Sequence, residues 1–305
     1  MTYGFALFPG QGAQHPGMGQ ALCSGSAAAR DVFACASDVA GLDVAKLCFE
    51  GTKEELSRTV NAQIAIFTHS MAAYAALKEA GVTFSACAGF SLGEYTALAA
   101  SGIISLEDGV QIVRKRGQVM QAAADSMDSG MAAILGLEDS VVEQACASVT
   151  CSIVRPVNYN CPGQLVIAGE RAALDAAIAA CKAAGAKRAL PLAVSGAFHT
   201  PLLKNAAAEL RAFLEGFTFS APTVPVYSNL DGKPLDVQNM PAHLEQHMVS
   251  PVRWKTLMAN GIAAGLKNGC EIGPGKTLAG FAKKIDKEFS VLPVETMENV
   301  ESAAK

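Results

Sequence analysis

The chain has 305 residues, enough for one large domain or two smaller ones with a sizeable core. Half of the residues are apolar, 17% are charged and the net charge is −4 at pH 7, which excludes a disordered chain. The positive charges form no basic stripe, so we expect no nucleic-acid partner. No run approaches the ~18 apolar residues of a membrane span, and no basic region precedes the N-terminal apolar run. We therefore expect a cytoplasmic protein without membrane contact.

The nine cysteines form an odd set without a Cys-x-x-Cys spacing, and most lie in apolar or alanine-rich runs. This pattern predicts free, mostly buried thiols in a reducing compartment. Cys146 and Cys151 have no further ligands nearby in the sequence, so they do not predict a zinc site.

The hydrophobic pattern predicts a chain that alternates strands and helices. Residues 4–8 are typical of a buried strand, and the proline and glycines that follow indicate a loop over 9–14. A second buried strand is predicted over 85–90, which places Ser91 at a strand-to-helix turn. Helical spacing and helix-favouring residues predict helices over 61–80, 91–100, 105–124 and 203–215.

The pattern changes between residues 127 and 195, where it reads strand, helix, strand, strand, helix, strand. That order is typical of a small sheet with two helices on one face. We therefore predict a large α/β domain formed by 1–126 and 196–305, with 127–195 as an inserted subdomain.

Ser91 lies in the sequence GFSLG, which matches Gly-x-Ser-x-Gly. Such glycines let the chain turn sharply and leave the serine hydroxyl exposed at a helix start, where a backbone amide can stabilise an oxyanion. A second interpretation needs no catalysis, because Ser91 and Glu94 also match the Ser-x-x-Glu capping box. The two interpretations are compatible with each other.

His199 is the best candidate for the base that a serine nucleophile needs, because it follows a predicted strand and precedes a helix that starts with proline. His69 falls in the middle of a helix, as a packed or surface residue would. His243 and His247 have the i, i+4 spacing of metal ligands but lack the His-Glu-x-x-His pattern. For these two we expect a solvated helix face rather than a zinc site.

Arg116 lies three or four residues from apolar positions of its predicted helix, so it falls on the buried face, whereas Arg114 and Lys115 point elsewhere. A buried guanidinium requires an anionic partner, and its planar fork suits a carboxylate. That carboxylate could belong to an internal Asp or Glu. The company of Ser91 and His199 indicates instead a substrate with its own carboxylate.

These residues resemble the malonyl-CoA:acyl carrier protein transacylases and related acyltransferase domains of fatty acid and polyketide synthesis. The resemblance spans nearly the whole chain. The matching segments are FPGQGAQ at 8–14, GFSLGEYTAL at 89–98, Arg116 with Gly117, NCPGQ at 160–164, GAFHT at 196–200, SPVRW at 250–254 and EIGPGK at 271–276.

The resemblance implies an α/β-hydrolase-like large domain with a parallel sheet and a ferredoxin-like insert. It implies Ser91 as the nucleophile, His199 as the base and Arg116 as the ligand of the malonyl carboxylate. The amides of Gln11 and Leu92 would form the oxyanion hole. The implied reaction transfers malonyl from malonyl-CoA to the phosphopantetheine thiol of an acyl carrier protein through a malonyl-serine, with no cofactor of the enzyme's own.

Further pocket residues follow from the same resemblance. Gln63 and Asn160 would line the pocket, and Phe198 would crowd the α-carbon so that methylmalonyl is disfavoured. Phe90 stands where the family usually has His, which removes a polar group from the pocket wall. His247 stands where the family commonly has Gln and would orient the base through its main-chain carbonyl.

Two other classes of protein compete with this interpretation. A serine hydrolase of this fold would place an acidic residue between Ser91 and His199 in chain order, and that interval offers no persuasive strand-end Asp. A noncatalytic carrier-docking module would have no use for Ser91, His199 and Arg116 together. Both fatty acid synthesis and a trans-acting role in polyketide synthesis stay open, and we expect a monomer.

Overall fold

A computed structural model describes residues 1–194 and 196–305. The strands of the described part form two separate sheets. In chain order they are β1 (Thr2–Phe8), β2 (Thr83–Gly89), β3 (Ser129–Leu135), β4 (Val154–Cys161), β5 (Gln164–Glu170), β6 (Arg188–Pro191), β7 (Val226–Tyr227), β8 (Asn268–Ile272) and β9 (Ser290–Val294).

The α-helices cover both faces of the larger sheet and one face of the smaller one. They are α1 (Gln20–Gly25), α2 (Ala27–Ala40), α3 (Val44–Glu50), α4 (Lys53–Ser57), α5 (Thr59–Glu79), α6 (Leu92–Ala100), α7 (Leu106–Asp125), α8 (Asp139–Ala147), α9 (Arg171–Ala183), α10 (Lys204–Leu214), α11 (Met240–Val249), α12 (Trp254–Ala263), α13 (Thr277–Ile285) and α14 (Met297–Ala304). Short 3-10 turns lie at Pro201–Leu203 and Val237–Asn239.

The larger sheet is parallel, with the order β7-β2-β1-β8-β9 and β1 at its centre. Alternate residues of β1 enter different cores: Ala6 and Phe8 pack with α2, α5 and α7, whereas Phe5 and Leu7 pack with α12 and α13. A central parallel strand is apolar on both faces because helices cover both. This explains why 4–8 reads as an unbroken apolar run.

The predicted elements of the large domain are confirmed within a few residues. β1 and β2 contain the two predicted strands, and α5, α6, α7 and α10 match the four predicted helices. Helix α7 begins at a capping serine, since the Ser105 side chain accepts from the Asp108 amide at 3.0 Å, and Glu107 and Asp108 favour its positive end.

The smaller sheet contains β3, β4, β5 and β6 in the antiparallel order β4-β5-β3-β6. Its elements follow the predicted strand-helix-strand-strand-helix-strand order, so the fold class is confirmed. Helices α8 and α9 pack on one face around Ile134, Ile167 and Leu174. The division at 126/127 and 195/196 stays a prediction, and Ser195, where the insert would end, lies outside the described residues.

The second face of the smaller sheet turns toward the larger one. Met131 and Val166 of this face pack with the main core rather than with α8 and α9. A backbone link joins the two parts, because the Tyr159 amide donates to the Val252 carbonyl at 2.9 Å and the Val252 amide donates to the Val157 carbonyl at 2.8 Å. The space between the sheets opens at the carboxyl ends of β1 and β2.

All nine cysteines are free thiols, and most are buried, as the sequence predicts. No helix in the described part of the chain combines the length and the apolar character that crossing a membrane requires.

Gly93 provides a test of how closely the β2–α6 turn packs. A methyl group on Gly93 would overlap the backbone carbonyl of Phe8, whereas one on Gly280, exposed in α13, would meet nothing within 4 Å. We expect Gly93→Ala to destabilise the protein by about 3 kcal/mol because the core is overpacked. Gly280→Ala should stabilise it by about 0.5 to 1 kcal/mol because alanine favours a helix.

Urea unfolding of both variants measures this difference. An equal and small effect of the two substitutions would contradict the close packing of α6 against the end of β1.

Candidate active site

Ser91 lies between the end of β2 and the first residue of α6 with φ at 52°. Among described residues, Ser91 and His199 (φ 61°) are the only non-glycine residues with positive φ, a strained conformation that concentrates at functional sites. The Ser91 side chain makes no capping hydrogen bond to α6. The capping-box interpretation is therefore wrong, because Ser91 and Glu94 both bond to distant residues instead.

His199 contacts the serine directly. Its Nε2 lies 2.7 Å from Ser91 Oγ, and its Nδ1 lies 3.0 Å from the His247 carbonyl and 3.1 Å from the Ser250 carbonyl. Carbonyl oxygens only accept hydrogen bonds, so Nδ1 carries the hydrogen and Nε2 is left to accept from the serine hydroxyl. The predicted contact through the main-chain carbonyl of His247 is present.

His199 is neutral at physiological pH. Burial, with a further contribution from the nearby Arg116, lowers its pKa from 6.5 to about 4. Both causes disfavour the imidazolium ion. The ring is therefore already in the form that accepts a proton.

The guanidinium of Arg116 is fully buried, as its helical position predicts. It donates to Gln63 Oε1 and, at 3.1 Å, to Ser91 Oγ, and its Cζ lies 4.9 Å from the centre of the Tyr95 ring. Within residues 1–194 and 196–305 it forms no ion pair with a carboxylate. Burial lowers its pKa below the ordinary value of an arginine. The alternative of an internal Asp or Glu partner is excluded for this part of the chain.

The two residues predicted to form the oxyanion hole adjoin Ser91, Leu92 in the sequence and Gln11 in the wall of the cavity beside the serine. Leu92 is the first residue of α6, so its amide has no acceptor within the helix. The loop after β1 lies against the nucleophile turn, where the Phe90 amide donates to the Phe8 carbonyl at 2.9 Å. Gln11 in this loop accepts from Gln63 Nε2 at 3.1 Å, which ties the loop to the Arg116 network.

A small cavity of about 60 Å³ adjoins Ser91. It is lined by Gln11, Phe90, Ser91, Met120, Met131, Asn158, Leu192, Val194, Phe198 and His199. A larger cavity of about 200 Å³ lies beyond Phe90 and includes Asn160 and Phe281 in its wall. Phe90 borders both cavities and packs against Trp254 with ring centres 5.6 Å apart.

The prediction that His243 and His247 lie on a solvated face of α11 is wrong. His247 is fully buried, the side chain of His243 is only 13% exposed, and the two rings stack with centres 6.4 Å apart. They pack against Glu94, and the described residues contain no group of three side chains arranged to bind a metal.

Sequence reasoning missed the buried Asn229 beside Ser91 and assigned Glu94 the wrong hydrogen-bond partners. Asn229 bonds to the backbone on both sides of Phe90, and Glu94 bonds to Asn229 and His243. Asn229 lies in SNLDG, a segment that has the composition of an ordinary turn. Only the pairing of β2 with β7 brings it to the nucleophile.

A serine at a strand-to-helix turn in contact with a histidine is the arrangement of α/β enzymes that transfer acyl groups through serine. Comparison with known proteins defines the family within this class. The chain belongs to the acyl transferase domain family, whose model matches residues 5–303.

Curated relatives cover nearly the full chain. The malonyl CoA-acyl carrier protein transacylase of Bacillus subtilis (strain 168) is 41% identical in an alignment 303 residues long that covers 97% of this chain and 95% of that protein. The protein of the same name from Salmonella typhimurium is 43% identical over 288 residues, 93% of each chain.

A solved structure gives the same picture of the fold. It contains a type II polyketide synthase acyl carrier protein in complex with its malonyl-transacylase. The similar chain is 39% identical to this one, with a TM-score of 0.96 over 100% of this chain and 99% of that chain.

The lowered pKa of His199 predicts the pH dependence of activity. Because the free base is already present well below neutral pH, kcat/KM for malonyl-CoA should stay level from neutral pH to about 5 and fall only as the pH approaches the pKa. Steady-state kinetics across this range, with circular dichroism to verify that the protein remains folded, measures the position of the fall. A fall centred near pH 6.5 would contradict a base held neutral by burial and Arg116.

Proposed function

We propose that this protein transfers a malonyl group from malonyl-CoA to the phosphopantetheine thiol of an acyl carrier protein through a malonyl ester of Ser91. The observation that carries the proposal is the buried guanidinium of Arg116, which lies 3.1 Å from Ser91 Oγ and has no protein carboxylate partner in the described chain. An acyl group with its own carboxylate supplies the missing charge.

In the first half-reaction Ser91 Oγ attacks the thioester carbonyl while His199 Nε2 accepts its proton. The amides of Leu92 and Gln11 stabilise the tetrahedral oxyanion, and each such donor contributes on the order of 3 kcal/mol in related sites. The carbon–sulfur bond then breaks, and the coenzyme A sulfur leaves with the proton from His199. A malonyl-serine ester remains.

The second half-reaction runs the same chemistry in reverse order. His199 accepts a proton from the phosphopantetheine thiol, whose sulfur attacks the ester carbonyl. The bond to Ser91 Oγ breaks, and His199 returns the proton to that oxygen. A covalent intermediate between two substrates gives ping-pong kinetics.

Arg116 has two roles in this proposal. It selects an acyl group that ends in a carboxylate, and it holds that group so that the thioester carbon lies next to Ser91. The small cavity beside Phe198, Met120 and Met131 supports a short acyl group without a branch at the α-carbon. Methylmalonyl is therefore a poorer substrate. The side-chain carbonyl of Gln63 keeps the guanidinium of Arg116 in place by accepting a hydrogen bond from it.

The rival hydrolase gains no support from the base. His199 Nδ1 faces two backbone carbonyls, not the acidic side chain that completes a hydrolase triad. The same chemistry fits an enzyme that supplies malonyl groups to fatty acid synthesis and one that supplies them to a polyketide assembly line. The monomeric state, the cytoplasmic location and the lack of a cofactor stay predictions.

Intact-mass spectrometry after incubation with malonyl-CoA tests the proposal. The unaltered protein should gain one malonyl group, lose it to added holo acyl carrier protein and yield malonyl carrier rather than free malonate. Ser91→Ala should gain none because it lacks the attacking oxygen. Accumulation of malonate with carrier present would make the protein a hydrolase, and full transfer by Ser91→Ala would make it a module that needs no nucleophile.

Replacing the guanidinium separates acyl selection from catalysis. Arg116→Ala should lose transfer of malonyl by about 100-fold or more, because orientation of the acyl group is lost. Transfer of acetyl from acetyl-CoA should rise, since no buried charge beside Ser91 then requires an anion. The ratio of malonyl to acetyl transfer measures this change, and an equal loss with both donors would contradict the assignment of Arg116 to the carboxylate.

A further inference from the structure

A buried polar cluster lies under the nucleophile turn, beside the base but away from the acyl cavity. It contains Glu94 of α6, Asn229 after β7, and His243 and His247 of α11. Glu94, Asn229 and His247 are fully buried, and none of the four lines the cavity beside Ser91. The transfer chemistry described above leaves Glu94, Asn229 and His243 without a role.

Asn229 holds the strained turn from both sides. Its side-chain oxygen accepts from the Ser91 amide at 2.7 Å, and its side-chain nitrogen donates to the Gly89 carbonyl at 2.7 Å. Together these bonds fix the backbone around Phe90, where Ser91 has its positive φ. Such a conformation persists only when its surroundings determine it.

Glu94 in turn holds Asn229, because Glu94 Oε2 accepts a hydrogen bond from the backbone amide of Asn229 at 2.6 Å. Its other oxygen, Oε1, lies 2.6 Å from His243 Nε2. A fully buried carboxylate is costly without a partner, and His243 is the side chain in ion-pair contact with it at short range. Burial opposes a charge on His243, but the attraction of Glu94 raises its pKa overall, with Asp231 adding to this effect.

Helix α11 connects this pair to the base. One turn after His243, the backbone carbonyl of His247 accepts from His199 Nδ1 at 3.0 Å. The His247 ring is held neutral, since burial and the neighbouring His199 and Arg116 place its pKa well below 6.5. The side chain that bonds to Glu94 at short range in this cluster is therefore His243.

We propose that Glu94 and His243 are positioning residues, and that their hydrogen bond fixes the nucleophile turn of Ser91 relative to the helix that orients His199. Neither touches the substrate. They act through Asn229 on one side and through the carbonyl of His247 on the other. This inference rests on the proposed function, because it concerns acylation of Ser91.

Two substitutions at His243 separate the hydrogen bond from the ring. Glutamine places an amide nitrogen near the position of Nε2 and can still donate to Glu94, whereas leucine fills similar space without a donor. Glu245→Gln serves as the matched control, because Glu245 lies on the same helix but pairs with Arg211 at 2.8 Å on a partly exposed surface.

Rapid-quench measurement of malonyl-Ser91 formation gives the maximal acylation rate and the malonyl-CoA concentration for half-saturation, both per competent site. His243→Leu should lower the maximal rate by between about ten- and a hundredfold, since displacement by about 1 Å has that effect on reacting groups. Half-saturation should not change, because Arg116 and the cavity are intact. His243→Gln should retain most of the rate, and Glu245→Gln all of it.

Three results would overturn the positioning role. His243→Gln could slow acylation as much as His243→Leu does. His243→Leu could raise the half-saturation concentration as well as lower the rate. Finally, those His243→Leu molecules that form the ester could do so at the rate of the unaltered protein. If His243→Leu does not fold, Glu94→Gln replaces it: a lower rate at unchanged half-saturation supports the proposal, and an unchanged rate overturns it. Failure of the unaltered protein to form the ester would instead refute the proposed function.

Discussion

The buried positive charge of Arg116 sets the requirements for the rest of the site. Taking an ion out of water costs several kcal/mol unless other groups compensate. The buried Glu94 attracts the guanidinium without forming an ion pair, and the groups in direct contact with it are neutral: the Gln63 carbonyl, the Tyr95 ring and the Ser91 hydroxyl. These partners reduce the cost of burial without cancelling the charge. The guanidinium therefore remains able to bind an anion, and an acyl carboxylate is the anion that fits beside an esterifiable hydroxyl.

The charge of Arg116 also explains why backbone carbonyls, and not a carboxylate, orient His199. A carboxylate behind His199 would be attracted to Arg116 and could neutralise it, whereas the carbonyls of His247 and Ser250 fix the ring without adding a negative charge. Arg116 also helps to lower the pKa of His199, so the charge proposed to bind the acyl carboxylate also keeps the proposed base neutral. Glu94 and His243, which bond to each other, reach the nucleophile turn through Asn229 and do not line the cavity.

Local patterns in the sequence predicted the elements that depend on local physics. Apolar runs gave β1 and β2, helical spacing put Arg116 on a buried face, and Gly-x-Ser-x-Gly marked the turn. The misses have a common cause: Ser91 and Glu94 match a capping box, but Glu94 bonds instead to the Asn229 amide, 135 residues away. The sequence pattern places His243 and His247 on a solvated face, whereas the fold brings them against Glu94 and Tyr95 of α6. Contacts over such separations follow from strand order, which local periodicity does not encode.

The insert and the base are mechanically joined through one short segment. Residues 250–254 present the Ser250 carbonyl to His199 and, two residues later, pair the Val252 backbone with Val157 and Tyr159 of β4. The smaller sheet also supplies Met131 to the acyl cavity. A change in the angle between the sheets would thus move the cavity wall and, at the same time, displace the Ser250 carbonyl that accepts from His199. Because the smaller sheet is inserted in the chain between Ser91 and His199, the fit of the acyl group and the orientation of His199 both depend on the contact between residues 250–254 and β4.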